Sequence, residues 1–548
     1  MVGNLQILGA IEGEFQWLDR IILFGYFAVL VALGIIASRR IKSADGFMVA
    51  GRKIPGWAAG LSVMCAYTSS ISYIAQPGLA FNTNWNPVIF AYGMIPVAFF
   101  VCAFIIPYYR KIRLISVYSF LEERLGGWGR VYASLSFMLY MVGRIAVILY
   151  LACLLLSWFI RPFKEGAFGL EAEALTNVNI VTLILIVGII TIAYTLLGGM
   201  EAVIWADVMQ SVIMLGGIVF AAGYLTYQIC RGPDPAIVAA WEAGKFQWTS
   251  PVGAPEYSLF KRTILVMIIY AVTENLRNLM ADQNYVQKFA ACSTDREAKK
   301  SVWVATTIFV IITTIFTYIG TALWAYYNGS GKLEAAGITK GDDVFPFYIA
   351  NELMVGLRGL LIAAIMAAAI STIATAFNCA ATIWLEDFHK KYIEPDLSDR
   401  ASILTLRIVT IIWGILGMGF AILMIRAQSA LDVWWKMSGI FGGGILGLFL
   451  LSLLKVRLRM WQGIVSIVAS VLVIAWGVLI QPDSVLTKVE LGAKLFDFLT
   501  KTLHIRVFPF DGIITGAVGT VVMMAVAIIF GLSNRFLGKR EELIPKSG

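Results

Sequence analysis

A chain of 548 residues would ordinarily fold as several soluble domains, but 59% of this one is apolar and only 14% charged, where soluble domains run near half and a quarter. At a mean hydropathy of +0.80, the apolar residues suffice for about a dozen spanning helices of about 20 residues each. The composition therefore gives an all-α polytopic membrane protein and excludes disordered, collagenous and coiled-coil classes. The net charge of +9 lies in short basic clusters between apolar runs, the pattern of membrane orientation and not of nucleic-acid binding.

Thirteen transmembrane helices are predicted, at about 18–38, 57–79, 87–109, 128–160, 178–196, 201–228, 259–286, 301–327, 345–385, 403–426, 430–455, 460–481 and 511–532. Glu12, Glu14 and Asp19 before the first span replace the basic start of a cleavable signal, so that span is a retained helix. Basic residues follow the odd-numbered spans: Arg39, Arg40 and Lys42, then Arg110, Lys111 and Arg113, Lys299 and Lys300, Lys390 and Lys391, Lys455, Arg457 and Arg459, and Arg535, Lys539 and Arg540. Only the fifth, with its very short loop, lacks them. This places the N-terminus outside and the C-terminus in the cytoplasm. The long loops 229–258, 328–344 and 482–510 fall on the outer side.

Chemistry that needs a soluble catalytic site finds no support. The six cysteines are scattered without metal-ligand or disulfide spacing. Gly442, Gly443 and Gly444 lie inside an apolar span, where small residues serve close packing and not phosphate binding. The two histidines, His389 and His504, sit near span ends without a nucleophile to activate.

Four interruptions of the apolar pattern carry the functional information. The second span holds Thr68, Ser69, Ser70 and Ser72, then Gln76-Pro77-Gly78. Non-helical backbone at membrane depth survives where it lines a cavity or binds something; a proline kink with back-bonded hydroxyls is the plainer alternative. The seventh span holds Glu274, Asn275, Arg277 and Asn278, with Asp282 and Gln283 one turn on. Glu274 and Arg277 are spaced to neutralise one another, which leaves the two asparagines unexplained. These two spans are five apart in order, as first helices of two five-helix repeats would be. The ninth span carries Ser371 and Thr372 one turn after the Ala368 carbonyl, amid small residues. That pattern suits close helix packing, and it also suits Na⁺, a hard cation that takes oxygen ligands. Arg144 is the only charge between Val131 and Ile160, and Asp207 stands about two turns into the sixth span; such charges are usually functional, unless the two pair with each other.

The stretches Asp45–Trp57, Tyr194–Gln210 and Asp282–Lys288 resemble conserved segments of the sodium/solute symporter family, and the similarity runs from about residue 20 to 480. The resemblance implies a leucine-transporter-type 5+5 inverted repeat with broken first helices. It divides the chain into 1–56 (an extra helix and entry loop), 57–228 (first repeat), 229–258 (outer loop), 259–455 (second repeat) and 456–548 (two further helices and a cytoplasmic tail). It implies sodium held by the carbonyls of Cys65, Thr68 and Ala368 and the hydroxyls of Ser371 and Thr372. A second sodium in some members uses an Asp matching Asp207 and two serines; Thr375 keeps one of these and Ala374 replaces the other, so one sodium is expected.

Galactose-carrying members place a Gln, an acid and a gate Tyr where this chain has Ser72, Ala91 and Asn278, while Asn275 is retained. Sialic-acid members place an Arg matching Arg144 and hydroxyls matching Ser69 and Ser72. The resemblance therefore implies Na⁺-coupled import of a carboxylate-bearing solute, sialic acid or another acidic sugar or organic acid, contacted by Ser69, Ser72, Gln76, Arg144, Asn275 and Asn278. The expected partners are the solute, the sodium ion and the bilayer of the cell inner membrane, with the chain as a monomer and no nucleic acid bound. Rival readings are a neutral sugar or polyol symporter, and a channel or sensor on the same fold.

Overall fold

Long apolar runs become helices because backbone N–H and C=O groups cannot be left unpaired in hydrocarbon, and a helix pairs them within one segment. The computed structural model describes residues 15–38, 43–112, 115–163, 167, 170–232, 236–249, 258–425, 442, 444–454, 458–480, 500 and 506–543. The elements used below are α1 (Trp17–Ser38), α2 (Gly56–Tyr67), α3 (Ser70–Asn82), α4 (Gly127–Phe159), α5 (Ala172–Arg231), α6 (Ile264–Leu276), α7 (Gln283–Ala290), α8 (Asp295–Tyr327), α9 (Gly341–Asn351), α10 (Leu357–Ile383), α11 (Asp399–Met424), α12 (Met460–Leu479) and α13 (Thr515–Leu543). Among the described residues, 11 helices are long and apolar enough to cross a membrane, and the bent pair α2 and α3 makes up to 12 spans. The shorter apolar helix Gly444–Leu453 falls in the predicted eleventh span, whose first residues, to 441, lie outside the described ones.

α10 is the centre of the molecule. Its Ala363, Ala364, Ala367, Ala368 and Ala369 are all buried, and their small side chains let α1, α4, α5 and α11 approach closely on different sides. Asp19 of α1 is fully buried and ties the first helix to the start of α10: its Oδ1 accepts the backbone N–H groups of Gly356 and Gly359, each at 2.8 Å. A carboxylate at a helix N-terminus satisfies donors that have no partner within the helix.

One predicted boundary changes. The ninth span, expected over about 345–385, is two elements: α9, then a turn at Gly356 (φ 88°), then α10. α9 ends at Asn351, and the Glu352 carboxylate just past it accepts from Tyr326 Oη at 2.8 Å and Lys332 Nζ at 2.7 Å. The fifth and sixth spans remain two crossings, Ala174–Leu196 and Gly198–Arg231, joined within α5 by one sharp bend at Gly199 (φ 49°, ψ −151°). A β-carbon there would lie 2.8 Å from the Phe47 ring, so glycine is required both by conformation and by space.

One end of the bundle is basic. Arg52 Nη1 donates to the Ala290 carbonyl, Arg110 pairs with Asp295 at 2.7 Å, and Lys391 reaches Glu122, which also holds Arg130 at 2.7 Å. Ile54 and Cys292 form an isolated β-bridge at the same end.

Candidate functional site

The second predicted span is broken. α2 ends at Tyr67, Thr68 and Ser69 take extended backbone, and α3 resumes at Ser70 with its axis bent by 60°. The hydroxyls drive this locally. The Ser69 N–H turns to Ser72 Oγ at 3.3 Å while Ser69 O accepts the Ser72 N–H at 3.0 Å, a reciprocal cap at the start of α3. Two carbonyls, of Cys65 and Ala66, thereby leave the helical hydrogen-bond ladder.

The Ala66 carbonyl is taken by Arg144. Nη2 of this buried guanidinium donates to Ala66 O at 2.8 Å and lies 3.4 Å from Tyr285 Oη, which itself donates to Ala66 O at 3.3 Å. Arg144 thus stands in mid-α4, against the broken helix and beside the Tyr285 ring of α7, 6.0 Å from its centroid. The Tyr285 ring meets Tyr67 at 4.5 Å, and Tyr67 meets Phe309 of α8 at 4.9 Å, so an aromatic wall closes one side of the break.

The pairing of Arg144 with Asp207 does not form. Asp207 Oδ2 accepts from Lys288 Nζ at 2.9 Å and from the Ser62 hydroxyl, and Lys288 also donates to the Ser62 carbonyl at 2.7 Å. Both members of this ion pair have fully buried side chains. The second oxygen, Asp207 Oδ1, has no hydrogen-bond partner among the described residues. Cys65 Sγ donates to the Asp207 backbone carbonyl at 3.4 Å, which places the pair directly behind the first break. Sequence reasoning missed Tyr285 and Lys288, although their spacing of three on one short helix turns both toward α2.

On α10 the hydroxyls of Ser371 and Thr372 both donate to the Ala368 carbonyl, at 3.1 and 3.0 Å, and Thr375 donates to Ser371 O at 2.9 Å. All three are buried, and α10 packs against α2 and α3. With their protons so directed, the hydroxyl oxygens keep lone pairs to offer a cation.

The second interruption is also a break. After α6 the chain makes one wide π-turn, Arg277–Ala281, and Asp282 takes extended backbone. Asp282 then caps α7, its Oδ1 accepting the Asn284 N–H at 2.9 Å. Glu274 and Arg277 do neutralise each other, with Nε to Oε2 at 3.0 Å and a second, shorter contact. Arg277 also reaches Tyr140 Oη at 3.5 Å and lies 3.6 Å from Asp282. Gly442 leaves room for this guanidinium: a β-carbon would lie 3.2 Å from Nη1. Asn275 spends both amide protons on carbonyls, those of Phe90 (3.0 Å) and Ala271 (2.8 Å), while its Oδ1 and the Oε1 of Gln76 have no partner among the described residues. Asn278 is buried on the wide turn. The arrangement therefore offers a cation, open amide oxygens and hydroxyls around two helix breaks, the chemistry of binding without a nucleophile.

The family model for the sodium:solute symporter family matches residues 47–466. The sodium/sialic acid symporter SiaT of Proteus mirabilis is 31% identical over 463 residues, covering 84% of this chain and 89% of its own length. The sodium/sialic acid symporter NanT of Aliivibrio fischeri is 32% identical over 469 residues, covering 84% and 88%. A solved structure of a Na⁺-coupled sialic acid symporter in a substrate-bound outward-open state superposes with a TM-score of 0.78 at 28% identity, covering 94% of this chain and 98% of its own. The fold is accordingly that of the leucine-transporter class.

Proposed function

This chain belongs to the sodium:solute symporter family, and from that premise we propose that it imports a carboxylate-bearing sugar of the sialic-acid kind. The family consists of transporters and not enzymes, and sodium is the coupling ion. One observation carries the substrate reading: a buried guanidinium, Arg144, held at the first helix break by a carbonyl and a tyrosine. A guanidinium offers a planar, bidentate match to a carboxylate. The relatives named for sialic acid support the same class. Ser69, Ser72, Gln76, Asn275 and Asn278 then serve the hydroxyl and amide groups of the solute.

Sodium sits between the carbonyls of Cys65, Thr68 and Ala368 and the hydroxyls of Ser371 and Thr372. Its binding ties the break between α2 and α3 to α10 and so shapes the wall against which the solute lies. Because coupling is reciprocal, sodium and solute raise each other's affinity. Asp207 and Thr375 would be the ligands of a second sodium, but Lys288 already neutralises that carboxylate, and we assign one coupling ion.

The repeats are 57–228 and 259–455. Each supplies a broken first helix to one shared site, so a single chain in the bilayer of the inner (plasma) membrane suffices. The basic end is cytoplasmic, with the N-terminus outside and the C-terminus inside. The test is a binding screen of the purified chain against acidic sugars, monocarboxylates and neutral sugars, with and without Na⁺. Sodium-dependent binding confined to acids is the expected result; preference for a neutral sugar would overturn the substrate reading.

A further inference from the structure

Toward the basic end, α10 continues the polar line begun at Ser371. Thr375, Asn378 and Thr382 follow at spacings of four, three and four residues, which keeps all four on one side of the helix. All are buried. Eleven residues at about 1.5 Å each carry this line roughly 16 Å toward that end.

One side chain lies across it. Gln287 of α7 is fully buried, and its Nε2 lies within hydrogen-bond distance of Asn378 Oδ1 (2.9 Å), Thr382 Oγ1 (3.0 Å) and the Met48 carbonyl (2.6 Å). Its Oε1 accepts from Gln283 Nε2 at 3.1 Å. Gln283 in turn donates to the Ile115 carbonyl at 2.8 Å and accepts the Val117 N–H at 2.9 Å. Asn378 Nδ2 donates to the Phe47 carbonyl at 3.3 Å. A chain of amides thus joins the inner half of the second broken helix to α10, to the entry segment at 47–48 and to the segment at 115–117.

The chemistry of this seam differs from its surroundings. Elsewhere α10 packs through alanine and other apolar side chains, and parting such a surface exposes apolar area to water. Parting the amide seam exchanges protein hydrogen bonds for hydrogen bonds to water, a nearly even trade. It leaves behind a corridor of hydroxyl and amide oxygens, the ligands a hard monovalent cation takes. A surface that opens in every transport cycle needs both properties.

We propose that the line Ser371–Thr375–Asn378–Thr382 is the route by which sodium leaves toward the basic end, and that Gln287 is the plug that closes it. The inference rests on the reading above that sodium binds at Ser371 and Thr372 and that the basic end faces the cytoplasm. Sodium bound at the top of the line favours the closed plug; its departure lets α7 part from α10.

Thr375→Cys placed in the full chain, on the sodium side of the plug at a position that does not bond Gln287, gives a reporter on the route. Its reaction with a membrane-impermeant thiol reagent is followed in inside-out vesicles, as the increment over the same chain without the added cysteine. With Gln287 intact, saturating Na⁺ should protect the reporter. Adding Gln287→Ala should raise labelling in Na⁺ by about tenfold, the equivalent of losing one net hydrogen bond, and should allow radioactive sodium to pass without solute. A folded, sodium-binding Gln287→Ala chain that labels as slowly as its parent would overturn the proposal. If that variant does not fold, Asn378→Ala removes one of the plug's bonds, and a rise in labelling is again required. If Gln287→Ala opens the route while Ser371→Ala leaves sodium protection intact, the plug stands and the assigned sodium site is wrong.

Discussion

Arg144 faces two demands at once. Its charge is buried mid-helix, where desolvation costs several kcal/mol, and the Ala66 carbonyl, the Tyr285 hydroxyl and the negative charge of Asp282 offset part of that cost. An arriving carboxylate adds a charge-assisted bond to the guanidinium. Arg144→Lys keeps the charge and loses the planar fork, so the affinity for an acidic sugar should fall by about one to two decades, the worth of a charge-assisted bond of roughly 1.5–3 kcal/mol. Isothermal titration of the acid and its neutral amide analogue checks this; equal losses for both ligands would mean that Arg144 does not meet the carboxylate. Ser371 and Thr372 make a parallel case. Removing either hydroxyl leaves sodium with carbonyls and one hydroxyl, so Ser371→Ala and Thr372→Ala should each raise the sodium concentration for half-maximal uptake by about tenfold. Their sodium titrations would have to match wild type for the site to be misplaced.

Among the elements, the two broken helices were the most legible part of the sequence. Hydroxyls followed by Gln76-Pro77-Gly78, and charges within Glu274–Asp282, break the apolar pattern in corresponding places, and the structure breaks the backbone at Thr68–Ser69 and at Asp282. Partners were much less legible. Arg144 binds a backbone carbonyl, a group every residue carries, so no side-chain pattern announces it. Lys288 lies just past the predicted end of the seventh span, yet the break at Asp282 lets α7 hold it at full burial against Asp207. Stability follows from that pair. Lys288→Met strands a buried carboxylate and should destabilise the chain by about 3–5 kcal/mol, whereas Lys288→Met with Asp207→Asn should recover much of the loss. Thermal melting of the purified single and double variants separates these outcomes.

α9, outside the membrane spans, offers a pH test. Burial, and then the charge of Asp343, push Asp342 from the ordinary 3.8 up to about 6. The folded chain therefore holds this proton more tightly than the unfolded one, and this contribution to stability falls as pH rises from about 4 to about 6, then levels off. Asp342→Asn should melt higher than wild type at neutral pH and should lose that advantage below about pH 4. A constant difference across the range would remove Asp342 from the account of stability.

For the molecule as a whole, charge balance argues for the proposed stoichiometry. Among the described residues around the two breaks, Arg144, Arg277 and Lys288 stand with Glu274, Asp207 and Asp282, three charges of each sign. One sodium and one singly charged acid keep that balance, while a second sodium would add an uncompensated buried charge costing several kcal/mol. Transport should then move no net charge. The most direct measurement reconstitutes the chain in proteoliposomes, imposes an inward sodium gradient, and counts labelled sialic acid and sodium together. Saturable uptake that requires sodium, runs at one ion per solute, generates no current and is lost in Arg144→Ala is the predicted result. Uptake indifferent to sodium, or a neutral sugar carried as well as the acid, would contradict it.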